Sequence, residues 1–202
     1  MDAVLKPGLY IVATPIGNLG DISGRPCAVR RGVAAVACED TRVTGKLLKH
    51  LGIKQRLIRY DDHASDETRD YLLAMAANKP IALVSDAGTP LISDPGYKLV
   101  REALEQGFQV TSVPGASAAL AALTSAGLPT ATFLFAGFLP PKGGQRRKRL
   151  DELKPVPATL IFYETASRLA AALADMAEVF GGREAAVAIG LPALEIFLNQ
   201  NG

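Results

Sequence analysis

The sequence is poor in the residues that build disulfide frameworks and zinc sites. Its 202 residues contain two cysteines, Cys27 and Cys38, and two histidines, His50 and His63. Their spacing fits neither a disulfide framework nor a set of zinc ligands. We therefore expect a protein without a structural metal.

Long apolar runs and a basic, apolar leader are also absent. No run approaches the roughly 20 consecutive apolar residues that a membrane-spanning helix needs, and residues 1–7 do not resemble a secretory signal. The formal net charge is only +2, so any contact with nucleic acid must come from a local cluster. With 49% hydrophobic residues the chain can fill a core, and we expect a soluble, cytoplasmic protein.

Short apolar or β-branched runs alternate with stretches of helical spacing along most of the chain. Such alternation predicts an α/β fold with mostly parallel sheets flanked by helices. The predicted strands are Leu9–Ala13, Val33–Cys38, Arg56–Tyr60, Ile81–Val84, Phe108–Val113, Thr132–Phe138, Thr159–Tyr163 and Ala185–Ile189.

A domain boundary is predicted near Pro114-Gly115. It separates an N-terminal α/β domain, residues 1–115, from a C-terminal α/β domain, residues 116–202. Five strand–helix units precede the boundary, but only three predicted strands follow it. After Ile189 the sequence fits neither the helical nor the strand period, so we expect an incomplete second domain and a truncated or altered C-terminus.

Three loops that follow predicted strands are rich in glycine, proline and hydroxyl residues: Ala13–Ile22, Ser85–Gly96 and Val113–Ala118. Small residues let a ligand approach the backbone, and helix N-termini offer unpaired N–H groups. A plain strand-to-helix turn explains any one of these loops, but three at one sheet edge predict a nucleotide-like pocket. The glycine patterns of classical dinucleotide-binding and Walker loops are missing, which disfavours both.

Two further segments carry charges that could serve chemistry. Glu39, Asp40 and Arg42 follow the second predicted strand, where adjacent carboxylates could orient a substrate hydroxyl or accept its proton. A helix N-terminus capped by Asp40 or Thr41 explains them equally well.

The other segment has five positive charges in eight residues and predicts contact with RNA phosphates. A solvated helix face is the alternative, because acidic residues follow at once. The cations are Lys142, Arg146, Arg147, Lys148 and Arg149.

Six motifs occur together in order: Leu9–Leu19, Glu39–Arg42, Leu83–Gly96, Pro114–Ser117, Gly137–Pro140 and Leu160–Glu164. Through them the chain closely resembles the bacterial 16S ribosomal RNA (cytidine-2′-O)-methyltransferases. That family lies within the tetrapyrrole methylase superfamily, the class III S-adenosylmethionine (SAM) methyltransferases. The resemblance extends from about Leu9 to Ala188.

The resemblance implies a two-domain tetrapyrrole-methylase-like fold, a homodimer, and SAM bound in the cleft between the domains. The implied reaction is methyl transfer to the ribose 2′-hydroxyl of a cytidine in the decoding region of 16S rRNA, within the small ribosomal subunit. Asp40, then Glu39, are the expected base or its orienting partner, with Arg42 holding a phosphate or carboxylate. With the three loops, the expected cofactor contacts are Pro15, Gly17, Asn18, Ser85, Asp86, Ala87, Gly88, Thr89, Ile92, Pro114, Gly115, Ser117, Ala118, Tyr163 and Glu164.

The family continues past the eighth strand with further strands and a helical tail, whereas here the chain ends soon after Ile189. We therefore expect one wall of the cleft to be missing and SAM to bind weakly or not at all. Two other functions stay open. One is C-methylation of a tetrapyrrole by the same fold, and the other is a truncated relative without activity.

Overall fold

A computed structural model of the chain describes residues 4–61, 63–189 and 194–198. The chain divides into two compact units, Met1–Ala116 and Ser117–Gly202, and each contains one sheet. The predicted α/β architecture, with mostly parallel strands and flanking helices, is confirmed.

The first unit is built on five parallel strands in the order β3-β2-β4-β1-β5. Every residue of β1 and β2 is buried, as expected for parallel strands with helices on both faces. The strands are β1 (Gly8–Val12), β2 (Ala35–Cys38), β3 (Leu57–Arg59), β4 (Pro80–Val84) and β5 (Val110–Val113). The helices are α1 (Gly24–Gly32), α2 (Thr41–His50), α3 (Asp66–Ala76) and α4 (Tyr97–Glu105), and a 3₁₀ helix spans Leu19–Asp21.

Different helices cover the two faces of this sheet. On one face the strands pack against Val29 of α1, and Cys38 of the same apolar cluster lies against Thr44 of α2. On the other face they pack against Leu72 of α3 and Leu99 of α4. Because the strands are parallel, their carboxyl ends meet at one edge, where loops from several strands can form one site.

The second unit contains four strands in the order β6-β7-β9-β8. Strands β6 and β7 are parallel, and β9 runs antiparallel to both of its neighbours. The strands are β6 (Phe133–Phe138), β7 (Thr159–Glu164), β8 (Ala185–Ile189) and β9 (Leu194–Leu198). The helices are α5 (Ala118–Ser125), α6 (Gly143–Leu153) and α7 (Leu169–Phe180).

Strand β9 is a correction to the sequence-based expectation of three strands in this part of the chain. It lies between β7 and β8, where Ile196 pairs with Phe162 on one side and Val187 on the other. Ile196 is fully buried, so β9 completes the core of this unit. The pairing of β9 with β7 is non-local, and no local period indicated the strand. Residues 190–193 and 199–202 lie outside the described part of the chain.

A buried ion pair connects α6 to α7. The Arg146 guanidinium Nε lies 2.6 Å from Asp175 Oδ2, and Arg147 Nη1 lies 2.8 Å from Asp175 Oδ1. Burial alone would raise the pKa of Asp175, but hydrogen bonds from Arg147 and Arg146 outweigh it and lower the pKa. Arg146 is only 5% exposed, so its charge neutralises Asp175 inside the unit. We therefore exclude Arg146 from the predicted RNA-contacting cations.

Replacing Asp175 by Ala is expected to destabilise the protein by about 3 kcal/mol, because Arg146 would remain buried without a counter-charge. Urea unfolding followed by circular dichroism measures the change. The control is Glu178→Ala on the same helix, since Glu178 is 67% exposed and lies 3.9 Å from Arg147 Nε. That variant should change stability by no more than about 0.5 kcal/mol. Equal effects of the two variants would contradict the structural role of the pair.

Candidate functional site

Two backbone hydrogen bonds join the loop after β1 to the loop after β4. The Thr14 N–H donates to the Gly88 carbonyl at 2.8 Å, and the Gly88 N–H donates to the Thr14 carbonyl at 3.2 Å. The buried Thr14 hydroxyl also donates to the Ser85 carbonyl at 3.2 Å. The first and second loops singled out in the sequence therefore lie side by side at the carboxyl edge.

The backbone of the loop after β4 is shaped for a close approach. Gly88 has φ +81°, a conformation that glycine adopts without strain. Leu91 and Ser93 also have positive φ, 72° and 60°, which costs energy in side-chain-bearing residues and is common at ligand-binding loops. The N–H groups of Ala87 and Thr89 donate no hydrogen bond within the described part of the chain, so they are open to a ligand.

The third loop approaches the other two just as closely. The Thr89 hydroxyl donates to the Ala116 carbonyl at 3.2 Å. A Cβ atom placed on Gly115 would lie 2.8 Å from the Cβ of Ala13, so only glycine fits there without a shift of the backbone. Within the first unit, residues of all three predicted loops therefore meet at one place.

Other predicted contacts in the first loop are less enclosed. Gly17 has φ +129° and is exposed, and the Asn18 side chain accepts a hydrogen bond from the Gly20 N–H at 2.9 Å. Asn18 thus caps the 3₁₀ helix. Ile92, in the second loop, is exposed. These positions border the meeting point of the loops and do not form its interior.

Arg30 of α1 forms a hydrogen bond to the start of the first loop, a role that the sequence did not indicate. Its Nη2 donates to the Ala13 carbonyl at 2.7 Å, while Nε and Nη1 find no partner within the described residues. Burial lowers the pKa of this guanidinium to about 10. An arginine in a basic helix normally indicates a solvated position, so no local signal pointed to Arg30.

A polar hollow of about 330 Å³ lies beside these loops, at the ends of β2, β3 and β4. It contains the three residues predicted to be catalytic and adds two more charged side chains, Arg59 and Asp86. The lining residues are Glu39, Asp40, Thr41, Arg42, Arg59 and Asp86.

Two local interactions fix the position of Asp40 in this hollow. It is the N-cap of α2, and its Oδ1 accepts the Arg42 N–H at 2.7 Å. Its Oδ2 also lies 2.7 Å from Arg42 Nη2. Hydrogen bonding from the Arg42 side chain, with help from its backbone, holds the pKa of Asp40 far below the usual carboxyl range. Asp40 is therefore ionised but a poor proton acceptor, and Arg42 is oriented by it.

The pKa of Asp86 is shifted in the opposite direction to that of Asp40. Its Oδ1 accepts the Asp40 N–H at 3.3 Å, and no arginine or lysine is paired with it among the described residues. Burial raises the pKa of Asp86, and the nearby charge of Asp40 adds to the increase, against the lowering effect of the Asp40 N–H. Of these two aspartates, Asp86 binds a proton more readily.

Of the other predicted cofactor contacts in the first unit, Pro15 is half-buried and Pro114 is exposed. The predicted contacts in the second unit are Ser117, Ala118, Tyr163 and Glu164. Ser117 is the N-cap of α5, and its hydroxyl accepts the Leu120 N–H at 3.5 Å. Glu164 is fully buried at the end of β7, and its Oε1 accepts Arg168 Nε at 2.6 Å. Its Oε2 is buried and has no partner in the described part of the chain, so a hydrogen-bond donor fits there. Tyr163 packs edge-on against Phe135.

The predicted RNA-contacting cations differ in exposure. Lys142, Lys148 and Arg149 are exposed, with Arg149 Nη1 3.0 Å from Glu152. Arg147 is half-buried beside Asp175. No group of three or more potential metal ligands occurs among the described residues. Among the same residues, no helix is both long and apolar enough to cross a membrane.

Residues 8–191 match the family described as tetrapyrrole (corrin/porphyrin) methylases. The chain is 54% identical over 185 residues to a Mesorhizobium japonicum protein named ribosomal RNA small subunit methyltransferase I, which covers 91% of this chain and 63% of that protein. A protein of the same name from Erythrobacter litoralis is 59% identical over 190 residues, which covers 94% and 68%. The chain thus spans about two thirds of the length of these relatives.

A solved structure, the crystal structure of diphthine synthase, is similar to this chain with a TM-score of 0.72. The match covers 95% of this chain and 89% of the other, at 15% sequence identity, and therefore shows the fold alone. The family match and the identities above 50% confirm the resemblance found in the motifs. This chain belongs to the tetrapyrrole (corrin/porphyrin) methylase family.

Proposed function

We propose, against the expectation of weak or absent SAM binding drawn from the sequence, that this chain binds SAM at the carboxyl edge of its first sheet, because residues of all three loops meet within the first unit. We propose further that it serves methyl transfer to the RNA of the small ribosomal subunit. The observation that carries the proposal is the meeting of three small-residue loops beside the backbone N–H groups of Ala87 and Thr89, which have no hydrogen-bond partner among the described residues. The names of the relatives support an RNA substrate over a tetrapyrrole. When bound, SAM supplies an activated methyl group.

The residues present fit such a ligand. Backbone N–H groups of Ala87 and Thr89 suit its carboxylate or ribose oxygens, and Gly115 lets the third loop pack closely against Ala13 of the first. We propose that Pro15, Ser85 and Gly88 shape this side of the site. Four residues of the second unit are proposed to complete it, with the buried Glu164 oxygen accepting a hydrogen bond: Ser117, Ala118, Tyr163 and Glu164.

The proposed acceptor is the ribose 2′-hydroxyl of a cytidine in 16S rRNA. A new bond forms between the 2′-oxygen and the methyl carbon, the carbon–sulfur bond breaks, and the hydroxyl proton passes to a carboxylate. Asp86 suits this step because burial raises its pKa, whereas Asp40 is tied to Arg42. We propose that Asp40 and Arg42 orient the substrate and that Asp86 takes the proton. Positioning supplies most of the acceleration.

Two alternatives from the sequence remain testable, namely methylation of a tetrapyrrole and a protein without activity. Incubating the chain with radiolabelled SAM and small ribosomal subunits should label the RNA under the proposed function. Label on a corrinoid precursor instead would favour the first alternative. Label on neither substrate would favour the second. Sedimentation equilibrium tests the proposed homodimer.

Replacing Gly115 by Ala should weaken SAM binding at least about tenfold, because the new Cβ would push the third loop away from Ala13. Isothermal titration calorimetry measures the affinity in this chain and, in parallel, in a full-length relative with the same glycine. The matched control is Gly24→Ala in the same unit, where an added Cβ meets no atom within 4 Å. Unchanged affinity of the Gly115 variant would contradict the proposed site.

Replacing Asp86 by Asn should lower kcat by roughly 10²- to 10⁴-fold at saturating SAM, because the proton acceptor is lost. The base must be ionised, so wild-type kcat should fall as the pH drops through the raised pKa of Asp86. This acid limb should disappear in the variant. Replacing Asp40 by Asn should reduce kcat, because Arg42 loses the carboxylate that orients it. The fall of kcat at low pH should remain in this variant. The same substitutions are assayed in parallel in a full-length relative. A kcat of the Asp86 variant equal to that of the wild type would show that Asp86 is not the proton acceptor.

A further inference from the structure

The helices on the two faces of the first sheet carry opposite charge. Helix α1 has three arginines and no acidic residue, and α2 has an arginine and two lysines and no acidic residue. On the other face, α3 begins with Asp66 and Glu67 and also contains Asp70. Helix α4 contains as many acidic as basic residues. The basic face was invisible in the linear sequence because its charges are distributed over separate segments.

Cations on the two faces also differ in pairing. Arg25 of α1, Lys46 and Lys49 of α2, and Lys54 after α2 are exposed and have no acidic partner among the described residues. By contrast, two of the three cations on α3 and α4 are paired, and the third, Lys98, is exposed without an acidic partner among the described residues. Arg69 lies 2.7 Å from Asp66 and 2.7 Å from Glu102, and Arg101 lies 2.8 Å from Glu105.

Two adjacent hollows lie on the basic face. A hollow of about 1090 Å³ has Lys6, Arg25 and Arg31 as its charged lining residues. A second, of about 370 Å³, has Lys49 and Lys54. No acidic residue lines either hollow among the described residues. They are linked because Gln55 Nε2, which lines the second, donates to the carbonyl of Arg31 at 2.8 Å.

These hollows lie at the amino edge of the sheet, opposite the candidate site. Their lining includes Pro80, the first residue of β4, and Gln109, the residue before β5. A strand of five residues separates this edge from the carboxyl-edge loops, which is about 16 Å. The surface is therefore distinct from the proposed SAM loops and can hold a different part of a large ligand.

The preference of cations for helix C-termini does not account for all the basic residues of this face. Cations at helix C-termini are stabilised there, which suits Arg31 and Lys49. Arg25, however, lies in the first turn of α1, where the dipole disfavours a cation, and Lys54 follows the end of α2. Helices α3 and α4 have no basic residue in their last turns. A common anionic ligand explains the whole set.

We propose that this amino-edge basic surface, formed by Lys6, Arg25, Arg31, Lys46, Lys49 and Lys54, binds the phosphodiester backbone of RNA. The inference rests on the proposed function in that RNA is the expected substrate. Lysines and arginines without acidic partners neutralise phosphates and release counterions, without reading sequence. The surface holds RNA that flanks the target nucleotide.

The test compares two double variants with the same spacing on opposite faces. Lys46→Gln with Lys49→Gln removes two charges from the amino-edge basic surface, and Lys98→Gln with Arg101→Gln removes two from α4. Fluorescence anisotropy measures binding of a labelled RNA hairpin between 50 and 200 mM KCl. The first variant should bind roughly tenfold more weakly, with a slope of log K against log salt shallower by about 1.5. The second should retain nearly wild-type binding.

An equal loss of RNA affinity in the two double variants would show that only net charge matters and would overturn the proposal. Unchanged RNA affinity in the Lys46 and Lys49 double variant would overturn it as well. Competition by poly-L-glutamate as strong as competition by RNA, at equal charge concentration, would overturn the assignment to RNA. Calorimetric titration of SAM into both variants should match the wild type. If SAM fails to bind while the two RNA affinities differ as expected, the proposed SAM site falls and the RNA surface stands.

Discussion

The reciprocal hydrogen bonds between Thr14 and Gly88 are the interaction on which the candidate site depends. They fix the loop after β1 against the loop after β4, outside the regular ladder of the sheet. Once these loops are joined, the Thr89 hydroxyl can reach the Ala116 carbonyl. The close packing of Gly115 on Ala13 then follows. The parallel sheet thus places the N–H groups of Ala87 and Thr89, which lack hydrogen-bond partners within the described chain, at its carboxyl edge.

Electrostatics divide the same unit into three regions with different roles. In the polar hollow the Asp40 carboxylate is paired with Arg42, whereas Asp86 has no paired lysine or arginine among the described residues, and the two carboxyl groups therefore have different proton affinities. Acidic residues lie on the face covered by α3. Most of the exposed cations on the face covered by α1 and α2 have no acidic partner among the described residues. Under the proposed function, this separation places proton transfer and RNA attraction in different regions of the unit.

The sequence alone was sufficient for features that depend on local patterns. Short apolar or β-branched runs indicated the positions of eight strands, and the loop motifs indicated the family. Non-local features could not be read this way. Strand β9 is defined by pairing with β7 and β8. Arg146 looked solvated until Asp175 of another helix met it. Arg30 and the amino-edge basic surface likewise depend on the packing of separate segments.

The most direct test of the central claim is an NMR titration of the isotopically labelled chain with SAM, following each backbone amide. We expect the largest chemical-shift changes at Ala87, Gly88 and Thr89 and in the loop around Thr14. Amides at the amino edge of the same sheet, such as that of Gln109, should stay unchanged. Shifts confined to residues away from the three loops would contradict the account.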